Sequence, residues 1–229
     1  MKILRTFGII VISVLLLISA LVFFAFQSSK PRDLGITYTQ ENQNRAYTKN
    51  GVISAPLPQA NSIEQSIRYE GKKDVSFTMT NAEITALINN ETWKYMPVSN
   101  VQIRINPDGT GEASGILHVD RILPYISLSH STEEVQKAMA DFHIGGTPAF
   151  YLKGKVAVAD NQVTLNPDRI EIGRIAIPGS LVSQNLQATS DFAEKRIQAV
   201  PNLFVKSLTL SNGSVSFSGT MPEKEYKSE

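Results

Sequence analysis

The chain has 229 residues, 42% of them hydrophobic, and its 22 Lys and Arg against 21 Asp and Glu leave a formal net charge of +1. That balance offers no basic surplus to a phosphate backbone, so nucleic acid is excluded as the expected partner. With no cysteine anywhere, disulfides, thiolate metal sites, thiol nucleophiles and cysteine-linked lipid anchors are excluded too, and stability has to come from burying apolar surface.

Residues 7–26 contain no charge and no proline, and Ser13 and Ser19 are their only polar members. At about 1.5 Å per residue they cover about 30 Å, the thickness of a bilayer's hydrocarbon core. A cleaved signal peptide has a shorter apolar run and small residues at its cleavage site. Here Phe26 and Gln27 stand where small residues would be needed, so the expectation is an uncleaved, single-pass transmembrane helix. Lys2 and Arg5 precede it without an acid, which puts a cytoplasmic tail of residues 1–6 inside and the main domain outside the cell membrane.

Residues 27–74 are rich in Gln, Asn, Ser and Thr, with Pro31, Pro56 and Pro58. The composition favours a polar stalk, although Thr39 could cap a small helix over 40–49 that ends at Gly51. From Val75 the pattern becomes regular. Val75, Phe77 and Met79 alternate with polar residues as in a half-buried strand, and Thr80 with Glu83 has capping-box spacing ahead of a helix over 81–90.

Val101, Ile103 and Ile105 predict a strand. Pro107 and Gly109 supply a tight turn, and 111–119 can return as its partner. Ser131 and Glu134 repeat the capping box before a second helix over 132–142. An extended run over 149–158 turns at Asp160 and Asn161 and resumes with Val163 and Leu165. A further strand follows over 170–177, with Gly173 marking a bulge or a switch of face. Pro178 and Gly179 end it, and a helix is expected over 181–199. Two strands, 204–210 and 215–219, are joined by Asn212-Gly213, a strong hairpin signal. Residues 221–229 look like a charged, frayed tail. Tight turns between consecutive strands favour antiparallel pairing and an α+β domain over residues 75–220.

Chemistry is harder to find. His118, His130 and His143 have no metal-ligand spacing, and Ser114 between Gly111 and Gly115 lacks the strand-to-helix turn of a nucleophile elbow. The residues 108–111 form an ordinary turn rather than a calcium or phosphate loop. Asn90 and Asn212 sit in glycosylation sequons, which arise often by chance. Trp93, Tyr95 and Met96 could meet a bilayer or ligand if exposed, but packing in the core is the expectation. No catalytic set, cofactor or metal is nominated, and the expectation is a protein that is not an enzyme.

Three phrases carry a resemblance: Phe-Thr-Met-Thr-Asn-Ala-Glu-Ile-Thr-Ala-Leu-Ile-Asn over 77–89, Val-Gln-Ile-Arg-Ile-Asn-Pro-Asp-Gly over 101–109 with Ala113, Ser114 and Gly115, and Ile-Glu-Ile-Gly-Arg-Ile-Ala-Ile-Pro over 170–178. They resemble bacterial extracytoplasmic proteins of tubular-lipid-binding-like (TULIP-like) fold, including the YpmS-like membrane-anchored proteins and the mycobacterial-type lipid-binding envelope proteins. The resemblance implies a curved antiparallel sheet wrapping one or more helices and leaving an apolar groove for an acyl chain. Ile84, Leu87 and Ile88, Phe150 and Leu152, and Leu181 and Leu186 are the groove candidates, although the same residue types also fill a dry core. On that basis the expected function is binding or shuttling of a lipid or lipid-like amphiphile at the cell envelope. The alternative is a scaffold that docks an envelope protein partner in wall assembly or secretion.

Overall fold

The computed structural model describes residues 30–58, 60, 62–127 and 146–229. The apolar run at 7–26, the helix expected at 132–142, His130 and His143 lie outside these. No described helix is long and apolar enough to cross a membrane.

The described chain is α+β, with strands paired almost wholly antiparallel. In the segment 30–74, Thr39 caps α1 (Gln40–Asn50), with Asn42 rather than an acid completing the capping box, and Gly51 closes it in the left-handed conformation. Two short strands follow, β1 (Ile53–Pro56) and β2 (Ile67–Glu70). Both pair with β11 (Lys224–Lys227) to form a small sheet in the order β1-β11-β2. The expected stalk is therefore folded structure. Its polar composition misled because α1 gains its place through charge, with Lys49 and Arg45 binding the nearly buried Glu83 at 2.6 and 3.2 Å. The expected frayed tail is likewise a strand, and its Lys227 is buried against Glu91 and Glu225.

The larger sheet follows the path β3 (Lys73–Thr80), β10 (Ser214–Met221), β9 (Phe204–Ser211), β6 (Ala149–Ala159), β5 (Gly111–Leu117), β4 (Val98–Ile105). Beside β6 lies β7 (Gln162–Ile172), which carries the two-residue β8 (Ile175–Ala176) on its other side. One edge of β6 pairs with β7 along its length. The opposite edge pairs with β5 over 149–154 and with β9 at 158 and 159. The sheet thus forks at 155–157 into a β5–β4 branch and a β9–β10–β3 branch.

The two branches are tied together by α2 (Asn81–Asn89), which runs from β3 to β4 and packs on both and on β10. Its attachment to β4 uses side chains in place of a neighbouring strand. Asn81 accepts from the Ile105 amide at 2.8 Å, Thr85 accepts from Ile103 at 3.0 Å, and Asn89 both accepts from and donates to the Val101 backbone at 2.8 and 2.6 Å. Four residues of helix rise about 6 Å and two of strand about 6.7 Å, so a helical i, i+4, i+8 row can track every second residue of an edge strand. An edge that would otherwise present open hydrogen-bonding groups is satisfied this way.

Buried Trp93 packs in the fold, donating from its indole nitrogen to Ser66 Oγ at 2.9 Å. A helix absent from the sequence reading, α3 (Val119–Ser127), follows β5, and two boundaries differ from that reading. First, β7 is one strand from Gln162 to Ile172, and the chain reverses at Gly173 and Arg174, both at positive φ, so that β8 folds back on it. The bulge lies instead opposite the Lys153/Gly154 step of β6. Second, the single helix expected at 181–199 is two, α4 (Gly179–Gln184) and α5 (Leu186–Ala199), divided at Asn185.

Candidate functional site

The inner face of the forked sheet is filled at one end and hollow at the other. At the filled end Val158, Val205 and Phe217 are buried together, with Phe77 stacked on Phe217 at 5.1 Å and Ile197 of α5 packed against them. Towards the other end lies a cavity of about 710 Å³, within the size range of small-molecule sites.

Strand periodicity builds its walls. Leu152, Gly154 and Val156 of β6 alternate inward, as do Ile103 and Ile105 of β4 and Leu208 and Leu210 of β9. The bulge resets the phase of β7, which lets Leu165 and Pro167 on one side of it and Ile170 and Ile172 on the other face the same space. Small residues make the room, since Gly111 and Ala113 of β5 line it where larger side chains would fill it. Gly154 is required for a different reason. A Cβ there would meet the Asn166 carbonyl oxygen at 2.5 Å, so no side chain fits where β6 and β7 approach at the bulge. Ile84 and Ile88 of α2 close one side, and Leu181 and Val182 of α4 with Leu186 and Thr189 of α5 close another. The break at Asn185 turns both helices toward the cavity, and the Asn185 side chain donates to the Leu181 carbonyl at 2.8 Å to hold it.

Of the seven groove candidates, Ile84, Ile88, Leu152, Leu181 and Leu186 line the cavity. Leu87 is half-buried on α2 outside the lining, and Phe150 packs over Gly115 instead. Sequence reasoning did not single out Ile103, Ile105, Leu165, Ile170, Ile172, Leu208 or Leu210 as cavity residues. Each sat in a recognised alternating strand, so the inward face was legible, but its distance from the other strands was not. Leu152 faces inward and is still 42% exposed, so the cavity is open to solvent beside it.

The opposite face of the same strands is polar and covered by residues 30–36. Arg32 donates to both carboxylate oxygens of Glu171 at 2.9 and 2.6 Å, and its guanidinium lies 4.6 Å from the centre of the Tyr151 ring. The Arg32 amide donates to Ser114 Oγ, the Leu34 amide to Gln102, and Arg104 to the Leu34 carbonyl. Arg174, in the turn between β7 and β8, donates to the carbonyls of Lys30 and Pro31 at 3.0 and 3.1 Å. These residues form a strap across β4 to β7.

Two buried carboxylates anchor that face. Burial pushes the Glu112 carboxyl up, but hydrogen bonds from Asn106, Tyr151 and Arg104 outweigh it and hold the group at about 2. Burial and the Glu112 carboxylate together push the Tyr151 hydroxyl up to about 12. Burial also opposes ionisation of Glu171, and Arg32 and Arg169 overcome it to leave its carboxyl below the ordinary range. Both acids are matched by cations or donors, and neither faces the cavity as a free acid or base.

A second hollow of about 360 Å³ adjoins the C-terminal end of α2 and shares Ile88 with the first, but Glu91, Lys94, Asn100 and Arg121 make it polar. Near it His118 Nε2 lies 2.8 Å from Ser99 Oγ. Among the described residues no group of three His, Asp or Glu is placed to hold a metal ion.

No family model matches this chain, nor does any curated protein or solved structure.

Proposed function

We propose that this chain is a membrane-anchored extracytoplasmic protein of TULIP-like architecture that binds or shuttles a lipid or lipid-like amphiphile at the cell envelope, without enzymatic activity. The observation that carries the reading is the cavity of about 710 Å³, walled by branched aliphatic side chains from both branches of the sheet and from three helices. Packed interiors leave few voids larger than a water molecule, so an apolar hollow of this size is a binding feature rather than a packing accident. Its walls are mainly aliphatic, which suits a hydrocarbon chain, and Lys153 and Lys155 also line it as cations within reach of a polar head. The apolar run at 7–26 supports the membrane location.

The test is a series of single-chain fatty acids titrated against the detergent-solubilised full chain by displacement of a fluorescent fatty acid, with mass spectrometry of co-purifying lipid. Each added methylene gains about 0.8 kcal/mol when buried, so affinity should rise about fourfold per carbon until the cavity is full. Ala113→Trp, which places a large ring in the cavity, should abolish the trend. An affinity independent of chain length, together with no co-purifying lipid, refutes the reading.

A further inference from the structure

The strap ties the start of the described chain to one edge of the domain. Only Gln27, Ser28 and Ser29 separate the apolar run at 7–26 from Lys30, and four residue steps reach at most about 14 Å. The headgroup layer on one side of a bilayer is about 5–8 Å thick. If residues 7–26 span the bilayer, Lys30 therefore sits at or just above the headgroups. Lys30 and Pro31 are held by Arg174, so the turn between β7 and β8 sits at that level too.

That turn is suited to a lipid surface. Ile175 follows Arg174 and is 58% exposed, with Ala176 and Pro178 also exposed beside it. From Ile175 to Ser190 there is no charged residue. An exposed isoleucine on an uncharged stretch next to an arginine is the composition of an element that rests in the interface between headgroups and acyl chains. The same turn joins the cavity: Ile172 before it, and Ile177 and Leu181 after it, are lining residues.

We infer that the β7–β8 turn, led by Ile175, is seated in the outer surface of the bilayer that anchors the chain, so that the apolar cavity loads an acyl chain directly from that bilayer. This rests on the amphiphile-binding reading above and adds the source of the ligand and the edge through which it enters.

The absence of cysteine allows a single probe to be placed at will. The full chain is reconstituted in phosphatidylcholine–phosphatidylglycerol vesicles with an environment-sensitive fluorophore on I175C, and separately on Q162C. Gln162 is exposed at the far end of β7, ten residues or about 33 Å from Ile172. The I175C probe should shift to the blue and be quenched several-fold by nitroxide-labelled lipid, and the Q162C probe should show neither effect. In a second arm, Ile175→Asp, which alters no lining residue, should keep the affinity for a pyrene-labelled fatty acid added from solution. It should also slow uptake of the same probe from vesicles several-fold. Equal quenching at both positions, or none at Ile175, overturns the inference, as does unchanged uptake in the Asp variant. If no variant binds the pyrene fatty acid, the amphiphile reading falls, while the quenching still decides which edge faces the lipid.

Discussion

Replacing Glu112 by Gln removes the most strongly perturbed carboxylate under the strap. The residue is 7% exposed, and its carboxylate receives hydrogen bonds from Arg104, Asn106 and Tyr151. A carboxyl held at about 2 instead of 4.5 stabilises the folded state by about 3 kcal/mol near neutral pH, at about 1.4 kcal/mol per tenfold. Because the folded value is depressed, that stability is fully present above about pH 4.5 and is lost as pH falls toward about 2. The difference between wild type and Glu112→Gln should therefore be about 3 kcal/mol at neutral pH and shrink toward zero in acid. Taking the difference matters, because Glu83 and Glu171 also ionise more readily than ordinary carboxyls and contribute to the wild-type curve. Urea unfolding followed by the fluorescence of Trp93, the only tryptophan and itself buried, reads the effect. A difference that is the same in acid as at neutral pH would show that the variant acts by shape and not by charge, and would refute the reasoning.

Two further outcomes follow from the same structure. Arg32→Ala leaves the buried Glu171 with Arg169 alone, so the strap should loosen by about 2 kcal/mol and amide exchange at Leu34 should quicken roughly 30-fold with the global unfolding midpoint nearly unchanged; unaltered exchange at Leu34 would rule out the strap contact. Asn89→Leu strips both hydrogen-bonding groups of Val101 of their helix partners. It should cost about 2–4 kcal/mol in the same urea assay and raise the tendency to associate through the exposed β4 edge; a monomeric variant of wild-type stability would contradict the role assigned to α2.

Local elements were readable because they depend on near neighbours. The capping box of Thr80 and Glu83, the alternation in β3 and β6 and the Asn212-Gly213 turn are short-range signals, and the structure has each of them. The segment 30–74 was misread for the opposite reason. Its composition is that of a spacer, but Arg32, Leu34, Arg45 and Lys49 find partners from 34 to 139 residues away, and no local pattern encodes those. The groove candidates divide in the same way. Helical and strand periods picked the apolar faces that hold Ile84, Ile88, Leu152, Leu181 and Leu186, but could not tell that Phe150, on the face of β6 that carries Leu152, would be covered by its packing on Gly115.

By itself, then, the sequence determined the class of fold, the faces of its strands and helices, and an apolar run long enough to cross a bilayer, since each follows from hydrophobic periodicity and turn chemistry within some twenty residues. Only the tertiary structure decided that the inward faces stand apart and enclose a cavity. A dry core and a groove use the same residues, and they differ in whether the sheet forks, where β7 bulges and how far α4 and α5 stand from the strands. The structure alone likewise laid the strap over the polar face, because its ion pairs join residues that only the folded chain brings together.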